Sequence, residues 1–379
     1  MGRRIFWLNV ASVASAVWMY WAGTPTVDPN RYATGPLPQC ELLGGRVVQV
    51  SVPASTGTDG GPTVVPTFIR ESGAPRAGEG AALVVFVAGA ACPATMWARV
   101  QAALPQHRSA AYDRPGIACT PFAVSSEASA SVVTASHPIR DDDRHVVTPF
   151  MCRHLLGVID ALLANDARKQ SAPAQRRRVV LVGHSLGGLV AVACGRYVER
   201  ELATRHATLA GVVLADSVSP GHSAGAAFRR ACPLLAGFMA RWSGWGLLSR
   251  YEVSIFQPQN LPGDLATHTA ALMQEPRHWA GFYEEARWVG PLGDVATRDD
   301  AIFDAPVVLT RAARFSPTRK EAVQRELLAR SRAPPAAAGE GAESHDGGVV
   351  PDSDHMSLLT TEGPARAVAA VIDKLLSSG

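Results

Sequence analysis

The chain has 379 residues, 47% of them hydrophobic and 18% charged, with a formal net charge of +3. This composition is compatible with a well-buried core. The mild, scattered basic charge lacks the stripe expected of a nucleic-acid binder. Six cysteines are present (Cys40, Cys92, Cys119, Cys152, Cys194 and Cys232), none in a C-x-x-C pair, which argues against a zinc or redox motif. Their even number permits disulfides, but the expectation is that most are small buried apolar residues. No cofactor or metal is expected, and the oligomeric state is not readable.

At the N-terminus, Arg3 and Arg4 precede an apolar stretch from Ile5 to Gly23, interrupted by Asn9, Ser12 and Ser15 and carrying Trp7, Trp18, Tyr20 and Trp21. About 19 such residues are just long enough to span a bilayer. Aromatic ends and leading arginines suit a signal anchor over residues 1–23 that leaves the rest of the chain on the non-cytoplasmic side. The alternative is a cleaved signal peptide and a secreted or organellar protein. Residues 24–45 read as a linker, rich in Pro, Gly and polar residues over Thr24–Pro38.

Strands are then expected over Arg46–Val52, Thr63–Arg70 and the wholly apolar Ala81–Val87. A helix over Met96–Leu104 and a short strand over Arg108–Tyr112 follow. Ser125–Arg144 reads as a polar surface insertion. Apolar residues at helical spacing (Met151, Leu155, Val158, Ile159, Leu162) mark a helix over Thr148–Asn165. Next come a buried strand Arg177–Val182, a helix Leu189–Leu202 and a strand Ala210–Asp216. The alternation implies a mostly parallel sheet covered on both faces. Residues 217–300 break it with helix-like pieces rich in large apolar residues. A strand Ala305–Thr310, a helix Arg319–Ser331, a disordered insertion Ala333–Gly348 and a brief strand Val349–Val350 complete the pattern. Pro364 opens a last amphipathic helix with Val368, Val371, Ile372 and Leu375 on one face.

Between strand Arg177–Val182 and the next helix stands Gly183-His184-Ser185-Leu186-Gly187-Gly188. The pattern is G-x-S-x-G in a strand–turn–helix setting, which suits an exposed nucleophilic serine on a sharp turn. Small neighbours let the backbone pass close by, and the helix N-terminus adds positive potential where an oxyanion forms. The N–H of Leu186 is one candidate oxyanion donor. The N–H of Ala90, after strand Val85–Val87 and beside the permissive Gly89, is the other. His184, in the x position, faces away from the serine and packs or hydrogen-bonds beside it.

These pieces, in order, resemble the α/β-hydrolase superfamily. The matching residues are Val84–Ala91, Trp97-Ala98-Arg99-Val100-Gln101, Tyr112-Asp113-Arg114-Pro115-Gly116, Gly183–Gly188, Val212–Asp216 with Pro220, and Ser353-Asp354-His355-Met356. The resemblance covers roughly Arg46–Leu376. At the oxyanion loop the family usually has His-Gly or Ser-Gly, whereas this chain has Ala88-Gly89. The resemblance implies an α/β-hydrolase core over residues 46–216 and 301–379. A helical cap is implied over 217–300, inserted between the sixth and seventh core strands, with the flexible insertion 333–348 in the second part.

It also implies a triad. Ser185 is the nucleophile, and His355, before the last helix, is the general base. The acid is harder to assign. The seventh strand leads into Arg311–Ser316 with no carboxylate before Glu321, so Asp216 at the end of the sixth strand is the leading candidate. Glu321, Asp352 and Asp354 are the alternatives. The implied function is cleavage of a carboxylic ester by a serine hydrolase through an acyl-enzyme. The aromatic-rich cap (Phe238, Trp242, Trp245, Phe256, Trp279, Phe282, Tyr283, Trp288) favours a small hydrophobic substrate. A peptidase using Glu284 or Glu285 to hold a substrate amine, an acyltransferase, and a non-catalytic binding protein of the same fold are the competing readings.

Overall fold

The run Ala-Leu-Val-Val-Phe-Val forms strand β3 (Ala82–Val87), with every residue buried. Side chains alternate across a strand, so the run serves two cores at once. Leu83, Val85 and Val87 enter one apolar cluster, while Ala82, Val84 and Phe86 enter another. β5 (Arg177–His184) does the same, sending Val179 and Leu181 one way and Val180 and Val182 the other.

A computed structural model describes residues 38–54, 61–73, 82–121, 150–169, 177–221, 226–244, 253–298, 302–314, 323, 326–332 and 346–377. The apolar segment at residues 5–23, the insertion at 125–144, Trp245, and residues 319–322, 324 and 325 of the helix expected over 319–331, Glu321 among them, lie outside them. Among the described residues, no helix is long and apolar enough to cross a membrane.

The remaining strands are β1 (Arg46–Val52), β2 (Thr63–Ser72), β4 (Arg108–Tyr112), β6 (Ala207–Ala215), β7 (Val307–Ala312) and β8 (Asp346–Val350). They form one sheet in the order β1-β2-β4-β3-β5-β6-β7-β8. β2 pairs antiparallel with β1 and β4, and every other pairing is parallel. Parallel neighbours need crossovers, and helices supply them. These are α1 (Ala98–Ala102, after a 3-10 turn at Ala94–Trp97), α2 (Phe150–Lys169) and α3 (Leu186–Ala203). Between β6 and β7 lie α4 (Ala226–Gly244), α5 (Asp264–Leu272) and α6 (Pro276–Thr297), and α7 (Ser357–Thr360) and α8 (Glu362–Ser377) end the chain. One face of the sheet packs on α2 and α3 through Leu155, Val158, Leu189 and Val190. The other packs on α1 and α8 through Val100, Val368 and Ile372. Each such fully buried aliphatic contributes about 1.5–3 kcal/mol. Val371, expected on the same face of α8, is only partly buried.

Three expectations need correction. Pro38–Leu43, read as linker, is a 3-10 helix with Cys40 and Leu43 buried. Asp346–Gly348, read as the end of a disordered insertion, begins β8, because the open edge of β7 offers it a parallel ladder. Four of the six cysteines are not simple apolar fillers. Cys40 pairs with Cys119 and Cys152 with Cys194 in disulfides, leaving Cys92 and Cys232 free. The first bridge ties the 3-10 helix to the loop after β4, and the second ties α2 to α3.

Candidate active site

Ser185 sits between β5 and α3 with φ 52° and ψ −119°, a conformation that costs a non-glycine residue free energy. The surrounding glycines explain how the chain holds it there. A methyl group at Gly183 would lie 2.5 Å from Gly187 O, one at Gly187 would lie 2.1 Å from Val87 O, and one at Gly188 would lie 2.1 Å from Ser217 Oγ. The turn is therefore pressed against itself, against the end of β3 and against the chain leaving β6. Backbone bonds complete the clamp: Ser185 N donates to Ala215 O at 3.2 Å, and Val218 N donates to Ser185 O at 3.2 Å.

Asp216 directly follows β6 and is also left-handed, with φ 45°. Its N–H donates to Thr310 O of β7 at 2.8 Å. Its Oδ2 lies 2.6 Å from Nδ1 of His355, in the loop between β8 and α7. Burial pushes the Asp216 carboxyl up, but the hydrogen bond and charge of His355 outweigh it and hold the pKa below the usual value. With Asp216 ionised, Nδ1 carries the shared proton and the ring's lone pair lies on Nε2.

His184 is fully buried. Its Nε2 donates to the backbone O of His355 at 2.8 Å, and the two ring centroids are 4.5 Å apart. Burial first, and the neighbouring His355 second, lower its pKa to about 3, so it remains neutral. Asp354 serves the helix that follows it. Its Oδ1 accepts from the N–H groups of Met356 and Ser357 at 3.0 and 2.8 Å, and Gln257 Nε2 donates to both carboxylate oxygens at 3.1 Å. Asp352 is exposed on a turn. Of the described acid candidates, Asp216 is the one hydrogen-bonded to the His355 ring.

The loop after β3 lies against the serine. A methyl group at Gly89 would stand 3.3 Å from Ser185 Cβ and 2.9 Å from His184 Nδ1. Neither Ala90 N–H nor Leu186 N–H donates to another described residue. For Leu186 the reason is its place in the first turn of α3, where N–H groups lack intrahelical acceptors.

A buried polar network that the sequence did not reveal surrounds this loop. Arg114 pairs with Glu285 of α6, both nearly inaccessible, and its Nη1 and Nη2 donate to Ala88 O and to Gly89 O, the latter at 2.7 Å. The second oxygen of Glu285 accepts from Ala91 N at 3.1 Å. His278, also on α6, accepts from Ala118 N at 3.2 Å and donates through Nε2 to Ala91 O at 3.0 Å. Arg114 stands in the Tyr112–Gly116 motif, so its place near the site was readable. Its partner on α6, 171 residues away, was not. Glu285 is thus engaged through both oxygens, and Glu284 pairs with Arg287 at 3.2 Å. Among the described residues, no cluster of three or more His, Cys, Asp or Glu could hold a metal ion.

A model of the alpha/beta hydrolase family matches residues 84–371. The chain belongs to that family. No curated protein matches it in sequence. Among solved structures it is similar to an Acinetobacter baumannii protein described as a lipase, at 16% identity over 94% of this chain and 98% of that one, with a TM-score of 0.53. It is also similar to an epoxide hydrolase from Vigna radiata, at 16% identity over 87% and 98%, with a TM-score of 0.50. A laboratory-evolved variant of potato epoxide hydrolase matches at 13% identity over 88% and 99%, with a TM-score of 0.53. At these identities the likeness shows a shared fold.

Proposed function

We propose that the chain is a serine hydrolase that cleaves a carboxylic ester with an apolar acyl or aryl group. The observation that carries this reading is the hydrogen bond between Asp216 and His355, at the same end of the sheet as the strained Ser185. In the proposed reaction, Ser185 Oγ attacks the ester carbonyl while its proton passes to Nε2 of His355. The tetrahedral oxyanion accepts from the N–H groups of Ala90 and Leu186. Its collapse breaks the ester C–O bond, and His355 returns the proton to the departing alkoxide. Water, deprotonated by His355, then hydrolyses the acyl-enzyme. Asp216 holds the imidazole in the correct tautomer and stabilises the imidazolium.

The nucleophile type separates this reading from epoxide opening. A serine that opens an epoxide forms an ether, which water does not cleave, whereas a serine that attacks an ester forms an ester that water can cleave. The peptidase reading is weakened by the engagement of Glu284 and Glu285 with arginines. The residues between β6 and β7 form the cap in this reading. Within it Trp279 is fully buried and packs against Phe256 and Phe282, so most of its aromatic surface holds the cap together.

The test is a panel of p-nitrophenyl esters of increasing acyl length, assayed with the parent and Ser185→Ala. Turnover by the parent and its loss by several orders of magnitude in the variant are expected. Residues 1–23 anchor this hydrolase with its catalytic part on the non-cytoplasmic side. Two disulfides suit such an oxidising compartment. Carbonate extraction of membranes should leave the full-length chain in the pellet.

A further inference from the structure

The loop that carries the Ala90 N–H has no glycine-rich run to shape it, and Ala91 within it holds a left-handed φ of 52°. Something other than local sequence must fix it. The peptide joining Gly89 to Ala90 is planar and trans, so its carbonyl oxygen and its N–H point in opposite directions. Arg114 Nη2 donates to Gly89 O at 2.7 Å, and Cys92 N donates to the same oxygen at 3.1 Å. Anchoring that oxygen turns the Ala90 N–H away from the guanidinium. The adjacent amide, Ala91 N–H, is taken by Glu285 at 3.1 Å, so it does not compete as a donor.

We infer that the buried Arg114–Glu285 pair is a positioning device for the oxyanion donor Ala90, through which α6 of the cap sets the catalytic geometry. The inference rests on the serine-hydrolase reading and deepens it. Arg114 grips the loop by two carbonyls, and Glu285 grips both Arg114 and the loop, so the three parts form one closed polar unit. Buried ion pairs add little net stability compared with apolar residues of similar volume. The pair's aim at Ala88 O, Gly89 O and Ala91 N gives it a specific task. The guanidinium on Gly89 O also polarises the peptide and strengthens the Ala90 N–H as a donor. Neither side chain touches substrate in this account; both act through the Ala90 amide.

The test uses the full chain and three variants: Arg114→Met with Glu285→Met together, Glu285→Gln alone, and Ser185→Ala as control. The double variant removes both charges and keeps the volume, so that folding survives. The isosteric Glu285→Gln is read in the same way if the double variant does not fold. With p-nitrophenyl butyrate as substrate, kcat is expected to fall about tenfold to a hundredfold, short of the full loss of a donor, while KM stays within about twofold. Inhibition by an alkyl trifluoromethyl ketone, whose serine adduct carries the oxyanion, should weaken by the same factor as kcat. A purely structural role would lower the melting temperature without moving that pair of readouts together. A folded variant whose kcat and ketone affinity both stay within about threefold of the parent overturns the inference. So does a change confined to KM. Parent-like turnover by Ser185→Ala would instead mean that the nucleophile reading itself has failed.

Discussion

His355 Nδ1 and Asp216 Oδ2 stand 2.6 Å apart although 139 residues separate them in the chain. The contact exists because β6 delivers one partner and the loop after β8 delivers the other, with β7 lying between the two strands in the sheet. Replacing Asp216 with Asn keeps the shape but removes the charge and lets the imidazole adopt the wrong tautomer. The expected result is a folded protein by circular dichroism whose kcat has fallen by about 10³–10⁴-fold, as for the equivalent change in a serine protease. A folded variant that keeps more than about a tenth of the parent kcat would remove Asp216 from the proposed triad.

The disulfides make a prediction about thiol chemistry. Cys40–Cys119 and Cys152–Cys194 close stretches with sequence separations of 79 and 42, so each should contribute about 2–4 kcal/mol. Unreduced protein unfolded in guanidinium should titrate two thiols, those of Cys92 and Cys232. In the folded state Cys92 should stay unreacted, since burial raises its pKa to about 12. Six titratable thiols would contradict the pairing.

Acid should destabilise the fold well before its surface carboxylates titrate. Burial lowers the pKa of His154, His184 and His278 to about 3, 3 and 4, from 6.5 in the unfolded chain. Burial also raises that of Asp113 to about 7 from 3.8, against the pull of the N–H groups of Ala94 and Cys119. A depressed histidine favours folding above pH 6.5 and loses that contribution as pH falls toward its folded value. The raised aspartate acts oppositely, favouring folding below its folded value. Between about pH 6 and 4 the unfolded chain gains three protons on the histidines and lacks the one on Asp113. The net two protons correspond to a stability loss on the order of 2–3 kcal/mol per pH unit. Urea midpoints measured at pH 7, 6 and 5 should fall steadily; a midpoint that holds or rises would contradict it.

The sheet was legible because its strands are short, wholly apolar runs such as Val179–Val182, and because periodicity changes cleanly at helices such as the one holding Leu155 and Val158. The sharp turn at Ser185 was legible because its glycines stand beside it in sequence. The contact between Asp216 and His355 was reachable because the stretch after β7 carries no carboxylate before Glu321. The disulfides were not, since nothing in the spacing of Cys40 and Cys119 records their approach. The Arg114–Glu285 pair escaped for the same reason. A buried charge reads like a surface one until its partner is known, and α6 supplies that partner from 171 residues away. The first residues of β8 escaped because Asp346-Gly347-Gly348 has poor strand propensity, and the ladder with β7 overrides it.

Ser185 is proposed as an activated nucleophile. The most direct measurement is labelling of the native protein with a fluorophosphonate probe, followed by peptide mass mapping. Stoichiometric modification of Ser185 is expected, absent after heat denaturation and absent in Ser185→Ala. Labelling should be slowed by orders of magnitude in His355→Ala, where no base remains to take the serine proton. A native, folded protein whose Ser185 stays unmodified, or whose label falls on another residue, would contradict it.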